Sequence, residues 1–385
     1  MGLLITLALG LAACGAAPAT GWPGLALSGE IAIIANGPQI YALNTNTSLT
    51  EWSFPLTADN ITGAFYVEPG ISDEAIVVGS EGPANTYSGL VYGLDLGGKQ
   101  QWCIAFDAAG AQRSGCPNVN GAESAGLLSF ASRVDTRVAS GIALSEGVAY
   151  LGLASGQVLA VNASGSGTGT KVWTFQARHS VWATPLVAED TVYIVSLDHH
   201  IYALDRATGE ARWQKDLGAA VAGTPALADN LLYVGSFDKT LHVLEANTGE
   251  EQWTFTATNW IWGGPVVQDG VVYFNDISGN IFAVNTTARA EVWSKKYGGA
   301  LRASPRLTAD TLYIGDYDGR LLALNLSDGS LKWGEADRVK MTGKLLDTPI
   351  LLDGKLLLAP FQGDNLIVGY TTEGGPTALA WKPSK

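Results

Sequence analysis

The chain has 385 residues, three cysteines and a formal net charge of −13, and 15% of its residues are charged. An acidic surface repels polyanions, which argues against nucleic acid or an anionic lipid surface as an electrostatic partner. Length alone would suggest two or three domains. A repeat that runs through most of the chain predicts a single one instead.

The N-terminal segment has the features of an export signal. Residues 1–13 form an apolar run that ends at Cys14, although no Lys or Arg precedes it. The run is too short to span a bilayer and is typical of the hydrophobic part of a signal peptide. Residues 11–14, Leu-Ala-Ala-Cys, resemble the bacterial lipobox, which implies lipidation of Cys14; an ordinary signal peptide with an incidental cysteine is the alternative. Residues 14–22 are small and are expected to form a flexible tether.

The chain from residue 23 onward is organised by a repeat of 40 residues, best kept by five tryptophans: Trp173, Trp213, Trp253, Trp293 and Trp333. Prolines, tyrosines and leucines keep the same step. A fixed period of this length indicates units that bury their apolar faces against their neighbours. Within the unit 182–217 the sequence predicts four short strands, the last two joined by the glycine turn 207–210. Four antiparallel strands in each period predict a propeller blade.

The pattern extends in both directions from these units. One tryptophan for each outer strand gives a count of eight: Trp52, Trp102, Trp173, Trp213, Trp253, Trp293, Trp333 and Trp381. We therefore predict an all-β fold, an eight-bladed β-propeller of four-stranded antiparallel blades, as a single domain over residues 23–385. Each blade should hold its own four strands, with blade eight at about 344–383, so the ring should close by packing between blades one and eight.

One insertion interrupts the repeat. Residues 107–132 have no repeat register, and Cys103 and Cys116 flank the start of the segment. In an oxidising compartment the two could pair, which would stabilise the fold by about 3 kcal/mol in the chain-entropy model. Two cysteines without a nearby histidine do not make a zinc site. The pair is therefore a candidate disulfide, and the role of the insertion is open.

The repeat motif resembles that of a known family. It reads Tyr-x-x-Ser-x-Asp and then Leu-x-x-x-Thr-Gly-Glu-x-x-Trp, and it is best kept in residues 192–213 and 232–253. This resembles the pyrroloquinoline-quinone (PQQ) repeat over about residues 25–385. The resemblance implies that the outer tryptophan of each blade docks between neighbouring blades. Blade six departs from the motif because Arg289 stands where glycine usually adopts the left-handed conformation, and we expect a different turn there.

Three functions are compatible with this fold, because a fold does not determine a function. Resemblance to the quinoprotein dehydrogenases would imply PQQ and calcium on the ring axis. The chain lacks the adjacent cysteine pair that many of those enzymes carry, and no repeat-related Glu, Asn and Asp set for calcium is evident. A surface propeller that binds a sugar or a peptide is another alternative.

The remaining function is that of a scaffold. A lipobox followed by an eight-bladed ring resembles the BamB lipoprotein family of the outer-membrane β-barrel assembly machinery. The resemblance implies a non-catalytic protein, lipid-anchored in the bacterial cell envelope, that binds other envelope proteins such as the barrel-forming subunit and is a monomer outside the complex. The anchor would lie in the outer membrane facing the periplasm or on the outer face of the cytoplasmic membrane. We expect this function, without an enzymatic activity and without PQQ, calcium or another cofactor.

The candidate partner site lies on one face of the predicted ring. The residues three positions before the repeat proline enter the innermost strands there, and they include Trp182, Trp262 and Arg302. The loops between the second and third strands bring His199, Phe237 and Tyr317 to this face, and Trp260 extends it. Aromatic residues and arginine dominate interface hot spots, so we predict a partner-binding surface. In the alternative, Trp182 and Trp262 fill the channel entrance and pack on one another.

No motif for catalysis or metal binding accompanies this surface. The sequence has four histidines, and the adjacent pair His199 and His200 would project to different sides of its loop. No Ser-His-Asp order, nucleophile elbow or phosphate loop is found. We therefore predict no catalytic residue and no metal site.

Overall fold

The computed structural model describes residues 23–55, 64–81, 89–106, 112–114, 135–165, 167–334 and 339–383. Within these ranges the chain forms 33 β-strands. The described residues contain no helix that is long and apolar enough to cross a membrane. The predicted signal peptide, Cys14, the tether, Cys116 and most of the insertion lie outside them.

The strands form eight antiparallel sheets, each built from consecutive strands, which confirms the eight-bladed β-propeller. Blade one contains β1 (Gly24–Ser28), β2 (Ile31–Ala35), β3 (Ile40–Asn44) and β4 (Thr50–Phe54). Blade two contains β5 (Gly70–Ile71), β6 (Ile76–Ser80), β7 (Leu90–Leu94), β8 (Gln100–Phe106) and β9 (Gln112–Ser114). Blade three contains β10 (Ala143–Ser145), β11 (Val148–Gly152), β12 (Gln157–Asn162) and β13 (Lys171–Gln176). Blade four contains β14 (Leu186–Ala188), β15 (Thr191–Val195), β16 (His200–Asp205) and β17 (Ala211–Asp216).

The second half of the ring repeats this order. Blade five contains β18 (Ala226–Ala228), β19 (Leu231–Gly235), β20 (Thr240–Glu245) and β21 (Glu251–Thr256). Blade six contains β22 (Val266–Gln268), β23 (Val271–Asn275), β24 (Asn280–Asn285) and β25 (Ala290–Lys296). Blade seven contains β26 (Arg306–Leu307), β27 (Thr311–Gly315), β28 (Arg320–Asn325) and β29 (Val339–Lys340). Blade eight contains β30 (Ile350–Leu352), β31 (Lys355–Leu358), β32 (Ile367–Thr371) and β33 (Pro376–Trp381).

Burial along a blade explains its composition. The second strand of blade four, β15, is buried at all five positions, whereas the outer strand β17 is half-buried or exposed throughout. Tyr193, Ala203 and Trp213 lie opposite one another across β15, β16 and β17. Because the central alanine is small, the indole of Trp213 reaches the ring of Tyr193, with 6.0 Å between ring centroids. β-Branched and aromatic residues suit such a doubly covered surface.

Each outer tryptophan also links its blade to the next, as the resemblance implied. The indole N–H of Trp173 donates to the carbonyl oxygen of Arg206 at 2.8 Å, in the last turn of blade four. The glycine of that turn, Gly209, has φ of 74°, and a Cβ there would lie 2.6 Å from the indole. Glycine is therefore required twice, for the left-handed backbone and for the close approach of the ring.

Blade six shows how the ring accommodates a side chain at this position. Arg289 has φ of 55°, so it adopts the left-handed conformation and the expected change of backbone is wrong. The neighbouring indole is turned instead: Trp253 meets Tyr233 at 75°, whereas Trp213 meets Tyr193 at 47°. A Cβ at this position requires that rotation, because it would collide with an indole in the usual orientation.

Blades one and eight close the ring by packing, as predicted. Leu25, Ala32, Ile34 and Leu43 of blade one form a single buried cluster with residues of blade eight. The Trp381 ring meets Tyr41 edge to face at 5.0 Å, and the Lys355 ammonium donates to the side chain of Asn46 at 2.9 Å. No strand crosses between these two blades among the described residues.

Two features of the blades were not predicted. Blade two has a fifth strand, β9, which comes from the insertion and pairs with β8. Trp333 lies before the short outer strand β29 rather than within an outer strand, although its indole N–H still donates to the carbonyl of Thr372 in the next blade at 3.2 Å.

The buried Cys103 on β8 is disulfide-bonded. Cys116, its predicted partner, lies outside the described residues, so this pairing stays a prediction.

Candidate protein-binding site at the channel mouth

The innermost segments of all eight blades converge on a cavity of about 140 Å³ on the ring axis. Blade one contributes Pro23, and each of the other blades contributes two or three residues from the segment before its first strand. In blades four to seven these residues include Trp182, Thr184, Thr224, Trp262, Arg302 and Ser304. The register predicted for the residues three positions before the proline is therefore correct, and it places their side chains around one channel.

Six of the seven predicted partner-site residues form one connected cluster. The ring of Trp262 lies 6.1 Å from that of Trp182 and 4.9 Å from that of Phe237. Phe237 in turn stacks on Trp260 at 5.2 Å, with 11° between the ring planes. Trp182 and Trp262 therefore do contact each other, but Trp182 stays 37% exposed and Trp260 44% exposed. The contact between Trp182 and Trp262 agrees with the alternative in which they pack on one another at the channel entrance, and the exposure of Trp182 and Trp260 agrees with a partner-binding surface.

Cations complete the cluster on its other side. The Arg302 guanidinium lies 4.6 Å from the ring centroid of Trp262 and 5.2 Å from that of Tyr317. Lys344, which the sequence did not single out, lies 4.4 Å from the Tyr317 ring and donates to its hydroxyl at 2.7 Å. This ammonium lowers the pKa of the Tyr317 hydroxyl. We call the following set the mouth cluster: Trp182, Phe237, Trp260, Trp262, Arg302, Tyr317 and Lys344.

Hydrogen bonds hold the loops that carry this cluster. The backbone amides of Phe237 and Tyr317 donate to the carbonyls of Ala220 and Ala300, at 3.0 and 2.9 Å. The loop beside Trp260 is organised by the buried Asp276, whose carboxylate accepts from the backbone amide of Asn259 at 3.0 Å. A surface of aromatic side chains on fixed loops loses little conformational entropy when a partner binds.

The seventh predicted residue, His199, does not join the cluster. It is exposed on the turn before β16, with φ of 79°, and no described ring contact or hydrogen bond connects its side chain to the mouth cluster. His242 lies between Asp238 and Glu251, at 3.1 and 2.7 Å, and is buried in its blade. Across the described residues no group of three or more His, Cys, Asp or Glu could hold a metal ion.

Sequence reasoning missed two acidic residues on the axis, Glu68 and Asp347. Both line the cavity. Glu68 directly precedes Pro69, so it occupies the position of Thr184, Thr224 and Ser304 in other blades, and Tyr66 occupies that of Trp182. Asp347 takes the place of Ala183 and Gly223. The proline register could have found all three residues, but Pro69 lies in a blade with few other repeat residues. We call Glu68 and Asp347 the axial acid pair.

The environment of the axial acid pair disfavours ionisation. Burial raises the pKa of the Glu68 carboxyl, and Arg306 on β26 opposes this only in part. Burial and the neighbouring Glu68 raise the pKa of Asp347 to about 8, although the backbone amides of Thr348 and Leu25 donate to its carboxylate. The two carboxyls therefore compete for one proton, as like charges in a shared site do.

The residues that line this cavity are a poor match for PQQ with calcium. Calcium needs six or more oxygen ligands, of which the axial acid pair supplies the only carboxylates among the described cavity residues. PQQ itself carries three carboxylates, and the axial acids would oppose them. The cavity of about 140 Å³ is also well below the roughly 300–1,000 Å³ of ordinary cofactor pockets.

Comparison with solved structures supports the same fold. The crystal structure of BamB from Moraxella catarrhalis is similar over 90% of this chain and 94% of its own, with a TM-score of 0.69 and 18% sequence identity. The computationally designed Ika8 protein is similar over 92% of this chain and 97% of its own, with a TM-score of 0.67 and 14% identity. At these identities the likeness concerns the fold alone.

Comparison with protein sequences gives one short relative and one family. A serine/threonine-protein kinase, AfsK of Streptomyces coelicolor, is 49% identical over 47 residues, which is 12% of this chain and 6% of the kinase. The family described as outer membrane protein assembly factor BamB matches residues 87–236 and 197–382, well over half of the chain. With its eight blades and their docked tryptophans, the chain belongs to this family of PQQ-repeat propellers.

Proposed function

We propose that the protein is a non-catalytic scaffold of the cell envelope that binds a protein partner through the mouth cluster and assists outer-membrane protein assembly. The observation that carries the proposal is the exposed, cation-flanked aromatic surface on fixed loops. Membership of the BamB family supports the choice of partner, the barrel-forming subunit of the assembly machinery.

The cluster has the composition of an interface hot spot. Trp, Tyr and Arg contribute most of the binding energy in protein interfaces, and they do so when a partner removes them from water. Trp182 and Trp260 retain a large exposed fraction while their neighbours fix their orientation. An exposed apolar patch of this kind on a soluble ring indicates an interaction site.

We further propose that lipidation of Cys14 anchors the ring in the envelope, with residues 15–22 as the tether. The apolar run and the lipobox-like segment 11–14 support this proposal. A cysteine variant, Cys14→Ser, should lose acyl labelling and move to the soluble fraction of fractionated cells. An unchanged membrane fraction would contradict the anchor.

Binding to the purified barrel-forming subunit tests the scaffold function. Trp262→Ala should weaken binding by about 2 kcal/mol, roughly 30-fold, because a central aromatic anchor is lost. Arg302→Ala should mainly slow association and reduce its salt dependence if the partner surface is acidic. Val292→Ala is the matched control, since Val292 is 50% exposed on the outer strand β25, far from the mouth.

Thermal unfolding of the same variants separates binding from folding. If Trp262 only fills the channel entrance, Trp262→Ala will lower the melting temperature and leave binding per folded molecule unchanged. Oxidation of an alcohol or sugar by the protein with added PQQ and calcium would contradict the non-catalytic function.

A further inference from the structure

We propose that the tether holds the ring with its mouth toward the membrane surface, so that the partner segment bound by the mouth cluster lies within about 30 Å of the bilayer. The inference rests on the lipid anchor at Cys14, which is part of the proposed function. It adds the place at which the partner must present its binding segment, next to the membrane rather than away from it.

The first support is the point at which the chain enters the ring. Pro23 is buried and lines the axial cavity together with Trp182 and Trp262. It directly precedes β1, the innermost strand of blade one, as the segment that carries Trp182 precedes β14. Both strands therefore run from the mouth toward the opposite face. The chain before Pro23 accordingly leaves the ring at the mouth.

The second support is that this entry point is fixed by both neighbouring blades. Gly24 pairs with Ala35 of β2, and a Cβ on Gly24 would lie 2.1 Å from the carbonyl oxygen of Val67 in blade two. Leu25 is 1% exposed and belongs to the buried cluster that joins blades one and eight. The tether therefore starts from a defined position on the ring axis.

The third support is the length of the tether. Cys14 lies nine residues before Pro23. A fully extended chain spans at most about 3.4 Å for each residue, so the reach is about 30 Å, and the average span of a flexible chain of this length is about 17 Å. An anchored Cys14 therefore keeps the membrane surface within about 30 Å of the mouth.

This length is too short to place the opposite face on the membrane. Strands about 4.8 Å apart make a blade roughly 14 Å wide from its inner to its outer strand, and a five-residue strand such as β15 is about 17 Å long. A tether that crossed the mouth to the rim and followed the outer strand would use its whole reach before the opposite face. The axial cavity of about 140 Å³ is too small for the chain to pass through the ring instead.

The same length limits what the mouth cluster binds. A folded domain of about 100 residues has a radius of gyration of about 13 Å and is roughly 34 Å across. Because this exceeds the reach of the tether, a whole domain does not fit between the mouth and the bilayer. We expect the partner to present a loop, a hairpin or the edge of a domain close to the membrane.

Energy transfer to the membrane surface tests the inference on the whole acylated protein. A donor dye is attached to p-azidophenylalanine, which replaces either Asp318, exposed beside Tyr317 at the mouth, or Glu210, exposed in the last turn of blade four on the opposite face. The protein is bound to vesicles of phosphatidylethanolamine and phosphatidylglycerol that carry an acceptor on the headgroup. We expect at least twofold more transfer from position 318. Equal transfer, or more transfer from position 210, would overturn the inference.

A longer tether is the matched control. Insertion of about 20 Gly-Ser residues within residues 15–22 raises the reach to about 100 Å. The difference in transfer between positions 318 and 210 should then largely disappear, because the ring can turn over. A difference that persists at full size would overturn the tether as its cause and would show that the mouth face binds the lipid surface itself.

The outcomes separate this inference from the proposed function. Protein recovered from cells without an acyl chain would overturn the anchor and this inference together. Anchored protein with equal transfer from both positions would contradict the orientation alone. If the barrel-forming subunit does not bind, the scaffold function is contradicted, while the transfer measurement, which needs no partner, still decides the orientation.

Discussion

Replacement of Asp347 by asparagine should change how the stability of the fold depends on pH. Asn keeps the size of the side chain and an oxygen that can accept from the Thr348 amide, but it cannot ionise. In the folded protein the pKa of Asp347 is raised to about 8 from its ordinary 3.8. The folded state therefore keeps a proton that the unfolded chain has released above pH 4. The resulting stabilisation is complete below about pH 4 and is lost as the pH rises through 8.

The magnitude follows from this interval. One proton held only in the folded state changes the free energy of unfolding by at most about 1.4 kcal/mol for each pH unit. Glu68 shares the proton, and the cavity is open to water, so we expect about half of this limit. From pH 5 to 8 the unaltered protein should then lose roughly 2 kcal/mol relative to Asp347→Asn.

Urea unfolding at pH 5, 6.5 and 8 measures this difference. Subtracting the values for Asp347→Asn from those of the unaltered protein cancels the groups that the two proteins share. Glu210→Gln reports the effect of removing an exposed carboxyl. A difference that does not vary with pH, or that grows in favour of the unaltered protein as pH rises, would refute the reasoning.

Five further substitutions, two matched pairs and one single change, probe the ring, and each is followed by chemical or thermal unfolding. Trp253→Ala should lower the free energy of unfolding by about 3–5 kcal/mol, because its buried indole joins two blades. Trp381→Ala should lower it by less, since that ring is half-buried at the end of the last strand. Equal losses for the two variants would contradict this difference. Gly249→Ala should cost about 2–4 kcal/mol, because a Cβ would lie 2.6 Å from the Trp213 ring at φ of 73°, whereas Gly218→Ala, with φ of 82° and open space, should cost only about 1–2 kcal/mol. Arg289→Gly should stabilise the protein by about 1 kcal/mol, because it relieves a left-handed arginine; a loss of stability would show that the turned Trp253 ring depends on that side chain.

The sequence predicted most of the fold because repeats reinforce one another. Trp213 and Tyr193 recur at fixed spacing, so one physical interpretation of blade four applies to its neighbours. The prediction was less complete where the register breaks. β9 lies in an insertion that matches no other unit, and Trp333 keeps its docking contact while the strand after it is short. The spacing of the tryptophans predicts which blade each indole contacts. It does not predict how many residues of the adjoining backbone pair with the neighbouring strand.

The candidate site shows the same limit. Trp182, Trp262 and Arg302 were found because they lie 40 residues apart in the best-kept units. Lys344 and Glu68 lie in less regular blades, and only the closed ring brings them beside those residues. A pattern along the chain predicts which residues reach the axis. It does not predict which charged residues from distant blades lie close to one another there.

Photocrosslinking in living cells tests the scaffold account most directly. The photoreactive residue p-benzoylphenylalanine replaces Trp260 at the mouth in one protein and Val292 on the outer edge in another, both of which are exposed. The account predicts a crosslink to the barrel-forming subunit from position 260 and none from position 292, with the crosslink reduced by Trp262→Ala. A crosslink from position 292 alone, or equal crosslinks from both positions, would contradict it.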